Sequence, residues 1–216
     1  MKRKFAFAAG IALCISMSAP SIRAAPSGDL TPQDKTLMYS LVIQRLLGPD
    51  DTYDEPMPKG KVYVTATLDA PPPPDAMRQA IAMGDQKTVA LASTRPIPPP
   101  PPPPEFVPWP KGTQPATQKV SKEMQAALVA AVGFSQYDFE WVTDPGKQLK
   151  FDPRSHALPG GRPILTLTQF VHLSPDRVYT SGGIYVASTV AGICWYIFKK
   201  DSSGWHLEKR IFGPVA

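Results

Sequence analysis

The chain has 216 residues, 23 Lys and Arg against 18 Asp and Glu, and a formal net charge of +5. All four ionised side chains among the first 24 residues, Lys2, Arg3, Lys4 and Arg23, are basic, so a chain trimmed there keeps only +1 of the +5. Near-neutrality lacks the concentrated basic footprint of a nucleic-acid binder; Lys119, Lys122, Lys147 and Lys150 read as ordinary solvated positions, and nucleic acid is discounted as a partner.

Residues 1–24 have the three-part layout of a secretory signal. Lys2 to Lys4 form a charged start, Phe5 to Ile15 an apolar stretch short for a bilayer span, and Ile22-Arg23-Ala24 a processing edge. Cleavage after Ala24 is expected, because a cut after Ala25 would leave Pro26 directly behind it. The mature chain is then an exported protein, periplasmic or secreted, with no stable membrane span once the signal is gone. Cys14 falls within the signal and lacks the small preceding residue of a lipid-attachment site, Leu13 standing there instead. Only Cys194 survives, which excludes an intrachain disulfide. In Ile193-Cys194-Trp195-Tyr196-Ile197-Phe198 it reads as a small buried apolar side chain.

The expected mature chain, residues 25–216, is a single α+β domain interrupted by a proline-rich excursion at about 70–117. Of the 27 prolines, Pro71 to Pro74 form one run and Pro98 to Pro104 another. Such runs lack backbone donors and hold their predecessors extended, so they join neither a helix interior nor a central strand. The longer run is expected to form a polyproline II rod of roughly 22 Å, at about 3.1 Å per residue.

In chain order, Thr31-Pro32 provides a helix cap and a first-turn proline, and Leu37, Leu41, Val42 and Arg45 follow helical spacing. A helix is expected over 32–47, stopped by Gly48-Pro49. The β-branched run Lys61 to Leu68 reads as a strand. Within the excursion, Asp75 to Met83 reads as a short helix capped by Asp75. Ser121 caps a further helix carrying Met124, Leu128, Val129 and Val132 and ending at Gly133. Phe139 to Val142 reads as a strand. Four extended runs follow, at 164–173, 177–188, 193–199 and 205–212, separated by Ser174-Pro175-Asp176, Val190-Ala191-Gly192 and Asp201 to Gly204. These form an antiparallel meander. In its last strand Trp205, Leu207 and Ile211 alternate with His206, Glu208 and Arg210, one face buried and one wet. Gly182-Gly183 inside a long strand suggests a bulge or bend that curls the sheet around a helix. The expected fold is helices packed on a curved antiparallel sheet, best fitted by a cystatin-like or nuclear-transport-factor-like half cone.

Two segments carry a resemblance. Met38 to Leu46, with Asp51-Thr52-Tyr53 and Val62-Tyr63-Val64, is similar to a helix I-Y-x-x-V-I-R-x-L and a following strand V-x-Y-L-V. Phe139-Glu140-Trp141-Val142, Gly183 to Ser188, Ala191-Gly192, Tyr196-Ile197-Phe198 and Gly204-Trp205 resemble the closing strands and hairpin of the same group. That group is a family of uncharacterised exported bacterial proteins. It has no counterpart of the proline-rich excursion, and the resemblance implies no activity and no site residue.

Motifs for chemistry are sparse. Thr180-Ser181-Gly182-Gly183 lacks the companions of a serine-protease nucleophile and reads as a structural turn. No nucleophile elbow, phosphate-binding loop or dinucleotide fingerprint occurs, and no cofactor is expected. His156, His172 and His206 lack the spacing zinc sites favour, so no metal site is assigned. Asp138 and Glu140 share a strand face and read as solvated. The rod is the one feature with a direct binding mechanism, since preformed rods dock in aromatic grooves. Pro98, Pro101, Pro104, Phe106 and Trp109 are the candidate contact residues for an unknown protein or small-molecule ligand, although a stiff spacer is the simpler role. The leading functional expectation is therefore an exported non-catalytic binding or structural module. The alternative is a small exported hydrolase, which requires polar residues such as His172, Asp176 and Tyr185 to converge in one cleft.

Overall fold

The computed structural model describes residues 30–48, 57, 59–91, 109–187 and 190–215. The signal segment and Pro98 to Pro104 lie outside the described residues.

Helix α1 (Pro32–Leu47) begins with a reciprocal cap: Asp34 N–H donates to Thr31 Oγ1 and Thr31 N–H to Asp34 Oδ2, both at 3.1 Å. Such a pairing satisfies two of the helix's orphan donors. Gly48 ends the helix with its N–H on the Gln44 carbonyl. The buried stripe is Met38, Tyr39, Val42, Ile43 and Leu46, one position on from the expected one; Leu37 stays 48% exposed.

Strand β1 (Gly60–Asp69) is followed by helix α2 (Pro74–Leu91), twice the length expected for Asp75 to Met83. The short β2 (Gln118–Lys119) leads to α3 (Lys122–Val132), which starts at a Ser121 cap and ends at Gly133 with φ +68°. Leu128 and Val132 are its buried apolar positions, while Val129 is exposed. Then come β3 (Tyr137–Val142), the single turn α4 (Pro145–Gln148), β4 (Ile164–Thr168), β5 (Val171–Ser174), β6 (Arg177–Ala187), β7 (Val190–Asp201) and β8 (Gly204–Val215). The run expected as one strand over 164–173 is thus two. Gln169 sits buried at the break, its N–H on the Asp69 carbonyl and its side-chain amide on the carbonyls of Leu68 and Ala116. Val190, Ala191 and Gly192, expected in a turn, open β7 instead.

The fold is α+β: helices on an eight-stranded sheet that curls without closing, ordered β2-β1-β4-β6-β7-β8, with β3 also on β1 and β5 also on β6. The C-terminal half is the expected antiparallel meander. The sheet as a whole is mixed, because β1 runs parallel to both β3 and β4.

Gly182 and Gly183 do not form a bulge. Both pair in unbroken register, Gly182 with Leu167 and Cys194, Gly183 with Thr166 and Ile193; the shift in β6 falls between Tyr185 and Ala187. What Gly182 permits is contact: a Cβ there would lie 2.6 Å from Val42 Cγ1, so α1 rests directly on β6.

Adjacent strand residues point to opposite faces, and the two faces carry different helices. Val178, Tyr196 and Phe198 join α1 and α3 in the main core, with half-buried Cys194 packed against it. Tyr179 and Ile197 face the other way and pack against Met77 of α2.

Candidate functional site

The α2 face owes its position to the first proline run. Pro71 and Pro73 are buried, and the Tyr179 hydroxyl donates to the Pro72 carbonyl. The start of the excursion is therefore packed on the sheet, not displayed. Proline suits this role because it holds an extended path with no backbone donor to bury. Trp109 Nε1 donates to the Pro71 carbonyl at 2.7 Å, and the Thr117 hydroxyl to Asp69 Oδ1 at 2.9 Å, so the far end of the excursion is tied back to its start.

From Pro74 the chain turns into α2, whose Met77 and Ala80 are buried against the sheet. One helical turn beyond Met77, Ile81 stands beside the end of β5 and the middle of β8. A cleft of about 480 Å³ opens there. Ile81, Leu173 and Ile197 make its apolar floor; Arg78, Arg177, Glu208 and Lys209 stand around it. Arg177 Nη2 meets Glu208 Oε1 at 2.6 Å, and Arg78 Nη1 meets Asp75 Oδ1 at 2.6 Å. Exposed pairs of this kind contribute about 0–1 kcal/mol each. Their guanidinium groups can exchange partners at little cost, and among the described residues the lining carries three cations against one acid.

The cleft does not assemble a nucleophile with a base. Ser174 Oγ donates to Asp176 Oδ1 at 2.7 Å, which holds that carboxyl below its usual range, and no histidine is bonded to either among the described residues. His172 lies exposed on β5 opposite Val178. Tyr185 is seven residues farther along β6, roughly 23 Å at the usual strand rise, where its hydroxyl donates to the His156 carbonyl. His172, Asp176 and Tyr185 therefore do not converge.

No family model, curated protein or solved structure matches the chain.

Of the residues singled out in the rod, Pro98, Pro101, Pro104 and Phe106 lie outside the described residues. Trp109 is described: half-buried, with its indole N–H committed to Pro71. His206 stands 3.4 Å from Asp201 on the β7–β8 hairpin. Glu140 is ion-paired to Lys61 at 2.6 Å. Among the described residues no group of three or more His, Cys, Asp or Glu could hold a metal ion, and no helix is long and apolar enough to cross a membrane. Sequence reasoning missed Met77, Arg78 and Ile81. Their signal was there, in the four-residue spacing of Met77 and Ile81 and the Asp75–Arg78 pair three apart.

Proposed function

We propose that this protein is an exported, non-catalytic binding module of the cell envelope or extracellular space, and that its α2 cleft seats an apolar ligand bearing an acidic group. The observation that carries the reading is the cleft's lining: an apolar floor of Ile81, Leu173 and Ile197 beneath Arg78, Arg177 and Lys209. An alkyl or aromatic body removes the floor from water, and an acidic head takes a guanidinium from its weak surface pairing. Export rests on the charged, apolar and small-residue layout of residues 1–24 and on the resemblance to uncharacterised exported bacterial proteins. The second proline run takes the role of a spacer in this proposal; Trp109, bonded to Pro71, is already occupied as an anchor within its own domain.

The test is calorimetric titration with decanoate below its micellar concentration. Wild type is expected to bind it saturably, and Ile81→Glu, which puts an acid on the cleft floor, to lose at least tenfold in affinity. Equal binding by both proteins would place any ligand elsewhere.

A further inference from the structure

The opposite end of the sheet, where β1 and β4 begin, carries a second opening. The loop before β4 is held there by the Tyr63 N–H on the Pro163 carbonyl, at 3.0 Å. Between this loop and the start of β1 lies a notch of about 250 Å³, into which Lys59, Lys61 and Arg162 bring positive charge and to which, among the described residues, no acid contributes lining. Lys61 is paired with Glu140 at 2.6 Å. Lys59 and Arg162 are exposed and have no ion-pair partner among the described residues.

Pro163 and three glycines make up the rest of the described lining; Gly60, Gly160 and Gly161 have φ of +119°, +75° and +64°. A Cβ at any of the three glycines would meet nothing within 4 Å, so the backbone conformation, not crowding, calls for glycine there. The result is a recess with bare backbone walls and cationic side chains at its mouth. Such a recess admits a compact, multiply charged group, and Pro163 is the one apolar side chain in its described lining.

We infer that this notch is an anion site for a phosphate group, distinct from the α2 cleft. The Arg162 guanidinium supplies a planar fork of donors, Lys59 a mobile ammonium, and Lys61 the donors its Glu140 pair leaves over. A phosphate dianion matches the charges of Lys59 and Arg162, which have no ion-pair partner among the described residues, and its attraction weakens as salt rises.

Titration of inorganic phosphate at low ionic strength, followed by backbone amide NMR, tests this directly. Saturable shifts are expected at Gly60, Gly160 and Gly161, weakened at least tenfold in Lys59→Ala/Arg162→Ala. Arg162→Lys, which keeps the charge and loses the fork, is expected to fall between; it decides the matter if the double variant fails to fold. No saturable shifts at the three glycines, or shifts of equal affinity in wild type and variants, would overturn the proposal. Sedimentation with phosphatidate vesicles separates the sources, both consistent with the site: retention reversed by added phosphate marks a lipid headgroup, and phosphate binding without retention marks a soluble phosphate.

Discussion

The Tyr179 hydroxyl donates to the carbonyl of Pro72, a residue 107 positions earlier in the chain. This bond joins the middle of the meander to the start of the proline-rich excursion, and α2 takes its place from there. Tyr179→Phe keeps the ring against Met77 and leaves the part-buried Pro72 carbonyl short of a donor. A stability loss of about 1 kcal/mol is expected, read from denaturant unfolding, together with weaker decanoate binding as α2 loosens.

Gly182 is expected to tolerate no side chain. Its Cβ would lie 2.6 Å from Val42 Cγ1 and 3.0 Å from Leu46 Cδ1, inside the main core. Gly182→Ala is an overpacking change with an expected cost of about 1–3 kcal/mol. Gly183→Ala is expected to cost less, because its closest neighbour, Thr166 Oγ1 at 2.5 Å, ends a side chain that can turn away. Thermal unfolding of the two variants side by side gives the comparison.

Alkaline pH is expected to unfold the protein. Burial pushes the hydroxyls of Tyr39 and Tyr179 above the ordinary tyrosine range. Below about pH 10 both are protonated whether folded or not, and their contribution is intact. Above it the unfolded chain ionises first and binds fewer protons than the native state, so stability falls as pH rises. Tyr39→Phe is expected to flatten that fall while losing the hydrogen bond to the Thr168 carbonyl. Unfolding curves at a series of pH values from neutral upward measure both effects.

How much of this was legible depended on how local each cause is. The ends of α1 and α3 follow from Thr31, Asp34, Ser121 and Gly133, each acting within one turn, and the sequence marks them. The stripe of α1 was misread by one position because Leu37 is as apolar as Met38, and only the approach of β6 decides which is buried. Gly182 looked like a bulge because its reason, Val42, lies 140 residues away. The parallel pairing of β1 with β4 joins strands almost a hundred residues apart, which no strand's own composition reveals. The same holds for both openings: Arg177 of β6 reaches Glu208 of β8 across the intervening β7, and Lys59 finds Arg162 only when β1 and β4 lie side by side.

Export is expected to be visible in the product. Expressed with its own N-terminus in a Gram-negative host, the protein should appear outside the cytoplasm and begin at Ala25. Mass spectrometry of the intact fractionated protein reads this, and a cytoplasmic chain retaining Met1 to Ala24 would remove export from the account.

The central claim is that binding takes place in the α2 cleft. Amide and methyl NMR of the wild-type protein with increasing decanoate tests it most directly. Saturable shifts are expected, centred on Ile81, Leu173 and Ile197, with Gly60, Gly160 and Gly161 unmoved. Shifts centred on the exposed Leu37 and Val129, or none at all, would contradict it.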